Sequence, residues 1–291
     1  MDAVLYYIAY PFLYVISKLP FSVFYALSDV VAWLLYNVIG YRKAVVRKNL
    51  TLVFPEKSAA ERNAIEREFY THLSDLFLEM IKSLSLSKEE MQKRFKVNNI
   101  AVLTQFEDKQ KSCFIMCGHY ASWEWMMSLG YHIQHIGYGI YTPLSNVYFD
   151  RLMQRIRKKH KAYLISRYAI RETLQKHQAE KHLGIYGFAS DQSPRPTEKT
   201  YWRSFMGIEV PVFTGAERLA REHNIPLVFG AVKKVKRGYY ELELTLLSEQ
   251  PKEEPLYQIT DKFTALLEDQ IKAYPAYYFW THNRFKFASN T

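Results

Sequence analysis

Cysteine is scarce: Cys113 and Cys117 are the only two among 291 residues, too few for a disulfide framework. Charge is scarce in the first 41 residues, which hold one basic residue, Lys18, and two acidic ones, Asp2 and Asp29. No internal repeat and no low-complexity linker is visible. No helix-turn-helix, zinc-finger or RNP-type aromatic pattern appears, so nothing supports nucleic acid as a partner. Ser122 lacks a surrounding Gly-x-Ser-x-Gly, which argues against a serine hydrolase. What is abundant is aromatic: 23 Tyr, 18 Phe and 5 Trp. Lys and Arg number 39 against 29 Asp and Glu, a net charge of +10. With 48% apolar and 23% charged residues the chain is neither disordered nor fibrous. A basic, aromatic-rich protein suits an anionic membrane surface or an acidic carrier.

The N-terminal charge gap holds two apolar runs separated by Lys18-Leu19-Pro20. Ala3–Ile16 is too short to span a bilayer and is expected to break at Pro11. Phe21–Ile39 has the length of a spanning helix. Arg42, Lys43, Arg47 and Lys48 follow at once, which by the positive-inside rule places the rest of the chain in the cytoplasm. Asp29 opposes a spanning reading, and a buried or interfacial helix pair is the alternative. No basic n-region precedes the first run, so a cleaved signal peptide is not expected. Residues 1–41 are therefore read as a membrane anchor and residues 42–291 as a catalytic domain.

Beyond residue 41, Arg42–Leu52 reads as a short helix, and Lys57–Ser83 has helical periodicity with a Ser58/Glu61 capping box. Ser87–Phe95 reads as another helix. Strands and helices then alternate. Strands are expected at Cys113–Cys117, Tyr138–Tyr141, Ala162–Ile165, His182–Ala189, Pro226–Val232 and Tyr239–Leu247. Helices are expected at Tyr120–Leu129, Asn146–Lys159, Tyr168–Ala179, Val212–Glu222 and Leu256–Tyr274. This predicts a single α/β domain with a mixed, mostly parallel central sheet flanked by helices, behind the anchoring segment.

The stretch most suggestive of chemistry is Cys113-Phe-Ile-Met-Cys-Gly-His119-Tyr-Ala-Ser-Trp-Glu124. A buried strand runs into Gly118, placing His119 at a strand's carboxyl end, where open α/β sheets bind ligands. On one continuous helix, residues five apart lie about 140° apart. With His119 just before the helix and Glu124 in its second turn, the two can approach. A carboxylate on one imidazole nitrogen would fix the tautomer and raise the basicity of the other. The bland alternative is that His119 is a satisfied helix cap.

The HX4E pattern after an apolar strand and a glycine resembles the lysophospholipid acyltransferase superfamily, and within it the late acyltransferases of lipid A biosynthesis. The similarity runs along nearly the whole chain. It includes Arg47, Asn49-Leu50 and Phe54-Pro55, then Gly118-His119 with Glu124. It continues with Asn146, Asp150 and Arg157, with Ser190-Asp191-Gln192, Phe205 and Gly207, and with Thr214-Gly215 and Leu219-Ala220-Arg221. It closes on Trp280-Thr281-His282-Asn283-Arg284-Phe285.

The resemblance implies transfer of a fatty acyl chain to a hydroxyl of a lipid A precursor at the cytoplasmic face of the bacterial inner membrane. The donor would be a thioester on acyl carrier protein or CoA, used as co-substrate with no cofactor. His119 would be the general base, held by Glu124. Arg157 would stabilise an oxyanion or bind an acceptor phosphate, and Asp191 and Asn146 would give support or acceptor contacts. Alternatives are another glycolipid, phospholipid or aminolipid acceptor, or a catalytically inactive lipid-binding protein.

Other clusters are plainer. The basic run Arg151–Lys161 is either a solvated helix face or a dock for a phosphorylated glycolipid or acidic carrier. Lys233, Lys234, Lys236 and Arg237 flank a predicted turn and are expected to be solvated. His132 and His135 lack a completing ligand set, so no metal is expected. Cys113 and Cys117 are expected as core thiols. Tyr277–Trp280 is open between core and a membrane-facing belt.

Overall fold

A computed structural model describes residues 2–288. The chain opens with α1 (Asp2–Lys18) and α2 (Phe21–Trp33), which continues as a π-helical stretch over Leu34–Ile39. Gly40, with φ +63°, ends that stretch in the left-handed conformation glycine tolerates. α1 runs unbroken through Pro11, contrary to the expected break. Proline costs a helix the hydrogen bond to the carbonyl four residues back. Here Pro11 is exposed, while Tyr6, Tyr10, Leu13 and Ser17 turn inward. Packing of that inner face overrides the local cost.

α3 (Lys43–Val53) and α4 (Ala59–Lys82) follow. Ser58 caps α4 with the expected reciprocal box: its Oγ accepts from the Glu61 amide, and Glu61 accepts from the Ser58 amide. α5 is Lys88–Arg94, β1 Phe95–Val97 and α6 Ala101–Asp108. Next come β2 (Cys113–Cys117), a 3-10 helix (Trp123–Tyr131), β3 (Ile136–Tyr141) and α7 (Val147–Lys159). β4 (Ala162–Ser166), α8 (Ile170–Ala179) and β5 (Gly184–Ala189) complete the first parallel units. A hairpin of β6 (Trp202–Phe205) and β7 (Ile208–Pro211) precedes α9 (Gly215–His223). β8 (Leu227–Lys236), β9 (Tyr239–Ser248) and α10 (Gln258–Ala273) close the fold.

Seven strands form the main sheet in the order β1-β9-β8-β2-β5-β3-β4. Every neighbouring pair is parallel except β8 and β9, which form an antiparallel hairpin. The expected single α/β domain with a mostly parallel sheet is what the chain forms. All five residues of β2 are buried, as a strand covered on both faces requires. Both cysteines lie in that strand as free, buried thiols. The pieces that the sequence reading left unassigned are β1, α6 and the β6–β7 hairpin.

Candidate active site

β2 and β5 run side by side in parallel, with Cys117 opposite Ala189. His119 and Asp191 each lie two residues beyond that pair, so the two strand ends deliver them to the same place. The Ser190 amide donates to the Cys117 carbonyl and extends the pairing past the strands (3.0 Å). Asp191 then grips His119 twice. Its Oδ2 accepts the backbone amide of His119 at 3.1 Å, and its Oδ1 lies 2.6 Å from the ring Nδ1. An ionised carboxylate only accepts, so the proton of this bond sits on Nδ1. Nε2 is left as the basic nitrogen, with the Gln192 amide nitrogen 3.4 Å away.

The electrostatics follow from this geometry. Burial opposes charge on His119, but the Asp191 carboxylate, with the field of Glu124, outweighs it and holds the imidazole pKa above its ordinary value. Burial likewise pushes the Asp191 carboxyl up, but His119 and the backbone donors pull it below the usual range. Asp191 is almost wholly enclosed, whereas the side chain of His119 keeps 19% of its surface open. The imidazole is flanked by the rings of Trp123 (5.1 Å between centroids) and Phe279 (6.1 Å). Phe279 in turn meets Phe77 of α4. The wall beside the imidazole is therefore aromatic.

Glu124 is not the carboxylate that holds His119. The expected helix from Tyr120 does not form. Ala121 takes a positive φ of 49°, its amide donates to the Tyr277 carbonyl, and regular 3-10 turns begin only at Trp123. That detour swings Glu124 toward α7. There it accepts from Nε and Nη2 of Arg157 in a bidentate pair with distances of 2.7–3.2 Å. Both side chains are largely enclosed, and such fork geometry fixes the guanidinium plane as well as its charge. Glu124 acts on His119 through its field alone.

Asn146 sits at the start of α7, where its Oδ1 accepts from the amides of Tyr148 and Phe149 as an N-cap. Asp150 accepts from the Leu144 amide, Tyr141 and Gln154 within the same turn. These two residues shape the mouth of α7, and neither meets His119 through those bonds. In the basic run, Arg157 is committed to Glu124. Lys159 donates to the carbonyls of Leu84 and Leu86 after α4, and Arg151, Arg155 and Lys158 are exposed. Among the described residues no three His, Cys, Asp or Glu side chains converge as a metal-ligand set.

The terminal motif is scaffold. The Phe279 amide donates to the His119 carbonyl, Trp280 is wholly buried, and Asn49 donates to the carbonyls of Trp280 and His282. Arg284 donates to Ser193 and to the Pro211 carbonyl, and Ser193 returns a bond to the Arg284 carbonyl. The scattered motifs around Asn49, Asp191 and Trp280 therefore meet in one place, behind His119. Tyr278 and Trp280 are core, while Tyr277 and Phe279 are half-buried.

The turn cluster divides: Lys233 and Lys236 are exposed as expected, and Lys234 and Arg237 are not. Lys234 and the half-buried Arg237 reach the buried carboxylate of Asp75 on α4. The fully buried Glu79, one turn on, accepts from the hydroxyls of Tyr25, Tyr240 and Ser122. A polar network thus joins α2, α4, the β8–β9 hairpin and the loop that follows His119.

The model of a family described as bacterial lipid A biosynthesis acyltransferase matches residues 2–287 of this chain. The chain is 24% identical over 274 residues to a lipid A biosynthesis palmitoleoyltransferase of Escherichia coli (strain K12), covering 92% of this chain and 87% of that relative. It is 22% identical over 275 residues to the lipid A biosynthesis lauroyltransferase of the same organism, covering 94% and 89%. A lipid A biosynthesis acyltransferase of Haemophilus influenzae (strain ATCC 51907 / DSM 11121 / KW20 / Rd) is 22% identical over 274 residues, covering 92% and 86%.

Proposed function

This chain belongs to the family of bacterial lipid A biosynthesis acyltransferases, and from that membership we propose that it moves a fatty acyl group from a thioester to a hydroxyl of a lipid A precursor. The observation that carries the reading is the double grip of Asp191 on His119, which leaves Nε2 as a base beside an aromatic wall.

In the proposed step, His119 Nε2 takes the proton of the acceptor hydroxyl as its oxygen attacks the thioester carbonyl. Asp191 stabilises the imidazolium that forms. The tetrahedral oxyanion collapses, the carbon–sulfur bond breaks, and the imidazolium returns the proton to the leaving thiolate. The products are one ester and one thiol, with His119 restored. Arg157, oriented by Glu124, supplies positive charge for the oxyanion or for an acceptor phosphate. Trp123 and Phe279 give the acyl chain an apolar wall. The step uses side chains of this protein and needs no cofactor.

The donor is taken as acyl carrier protein, an acidic partner suited to the exposed Arg151, Arg155 and Lys158 of α7. Residues 1–41 serve as the membrane anchor and residues 42–291 as the catalytic part, at the cytoplasmic face of the inner membrane.

The test is mass spectrometry of lipid A from host cells carrying the native protein or His119→Ala. Loss of one acyl chain from lipid A in the variant, with the protein present at native level, supports acceptor and base together. An unchanged lipid A with another lipid class losing an acyl group would overturn the acceptor and keep the enzyme class. Undiminished transfer by purified His119→Ala would remove His119 as the base.

A further inference from the structure

Phe21–Ile39 has the length and apolarity of a membrane span. Three of its polar side chains, Tyr25, Ser28 and Asp29, are however committed sideways to the catalytic domain, while Ser22 is exposed and Asn37 donates to the Trp33 carbonyl of its own helix. Ser28 is fully buried and donates to Asp75 Oδ1 at 2.7 Å, while Ser74 donates back to the Ser28 carbonyl at 2.8 Å. Asp29 pairs with Arg237 at 2.6 Å, and the same guanidinium pairs with Asp75. Tyr25 donates to Glu79 at 2.9 Å, and Phe24 is fully buried against the same side. These residues lie near the middle of the apolar stretch, not at one end. A crossing helix would carry Ser28 and Asp29 into hydrocarbon and strip Asp75 and Glu79 of partners inside the protein. At the α1–α2 junction, Lys82 and Ser85 donate to the carbonyls of Leu19 and Ser17, fastening the start of α2 as well.

The opposite faces of both helices are exposed and mostly apolar, interrupted on the second by Ser22 and Asn37. On α1, Val4, Leu5, Ile8, Phe12 and Val15 are each exposed by more than half. On α2 and its continuation, Val23, Val30, Trp33, Val38 and Ile39 are too. The tyrosines of α1 run along its length: Tyr6, Tyr10 and Tyr14 pack in series at four-residue spacing, and Tyr6 continues onto Tyr148 and Phe149 of α7. Tyrosine favours the boundary between headgroups and hydrocarbon. On a crossing helix that preference would gather exposed rings at the ends, whereas the exposed rings of α1, Tyr7 and Tyr14, lie about two turns apart within it, which suits an axis parallel to the membrane. Lys18 between the helices and Lys48 beyond them are exposed cations at the rim, complementary to anionic headgroups.

We propose that α1, α2 and the stretch Leu34–Ile39 lie in the plane of one leaflet as a fixed platform. Their outer faces sit in an anionic bilayer, and Phe21–Ile39 does not cross it. The platform is rigidly tied to α7, the helix that carries Arg157, so the bilayer holds a set distance from the site. This rests on the lipid acceptor read above: a lipid substrate would reach His119 by lateral diffusion in the same leaflet.

The experiment uses the full chain in membranes, with single cysteines at Lys18→Cys and Lys252→Cys and a membrane-impermeant maleimide. Cys113 and Cys117 are buried, with thiol pKa values pushed up by burial, and stay silent. An in-plane platform puts both new thiols on the same side of the bilayer, and labelling from opposite sides overturns it. A second measurement follows binding of the purified chain to vesicles of phosphatidylethanolamine and phosphatidylglycerol. Ile8→Asp with Phe12→Asp is expected to weaken binding on the order of tenfold or more, with transfer to micellar substrate retained. Unchanged vesicle binding by that pair overturns the platform. Same-side labelling together with no acyl transfer by the native chain would leave the platform and remove the proposed function, while opposite-side labelling with normal transfer would do the reverse.

Discussion

The pairing of His119 with Asp191 sets a pH dependence with a definite sign. The raised His119 pKa contributes stability that is whole below the ordinary value of 6.5 and lost as pH rises through the folded value. The lowered Asp191 pKa contributes stability that is whole above 3.8 and lost as pH falls through its folded value. The pair is therefore most stabilising between those two ordinary values. For activity the base must be neutral, so kcat/KM should rise through an acid limb placed above the ordinary imidazole pKa. Asp191→Asn removes the anion and one of the two acceptors that His119 uses. The acid limb should move to lower pH and the plateau should fall by about a hundredfold or more. Glu124→Gln, acting only through the field and through Arg157, should move the limb less. A pH–rate profile of both variants checks this, and a larger shift in Glu124→Gln would restore Glu124 as the partner of the base. His119 was legible as a candidate because a continuous apolar run, a glycine and a histidine are local signals. Its partner was not, because Asp191 lies 72 residues away and reaches it only through the register of β2 on β5. Asp191 was visible in the sequence as a supporting acid, and only the strand pairing gives it the Nδ1 bond.

At the scale of elements, helix periodicity and turn residues located the principal helices and strands, and the Ser58/Glu61 box marked the start of α4 to the residue. Local rules failed at Pro11 and at Tyr120–Ser122, where contacts with distant segments decide the backbone. They also failed at Lys234 and Arg237, whose charge suggested solvent but whose partner is buried. α4 carries the most unusual carboxyl outside the site. Burial and the nearby charge of Asp75 push Glu79 up to about 7, against the opposing bonds from Tyr25 and Tyr240. A folded pKa raised this way gives stability that is whole below 4.5 and declines as pH climbs to about 7. Glu79→Gln keeps an acceptor for the tyrosines and removes that decline. Its Tm relative to the native chain should improve steadily across this window and level off above it. A difference in Tm that does not vary with pH would mean that Glu79 remains ionised throughout.

Across the whole molecule, the ends of the chain are fastened to one another. Asn49 of α3 donates to two carbonyls in the terminal motif, more than 230 residues on, and Arg42 donates to the Thr281 carbonyl. Asn49→Ala would leave the buried Trp280 carbonyl without that donor and loosen the segment that supports His119. A loss of about 1–3 kcal/mol in unfolding free energy is expected, read by denaturant titration. Activity should fall further than stability alone would give, because Phe279 lines the base. Asn49-Leu50 and the terminal motif were legible as separate pieces of the family resemblance. That they form a single scaffold was not, since nothing local in either segment names the other.

This arrangement also imposes an order on biogenesis. The apolar helices α1 and α2 leave the ribosome before any strand of the sheet. The segment that donates to the His119 carbonyl and supplies Phe279 is translated after every strand it rests on. The surroundings of His119 are therefore completed last, after α1, α2 and every strand. A nascent chain halted short of Phe279 would hold every strand yet lack the donor to the His119 carbonyl.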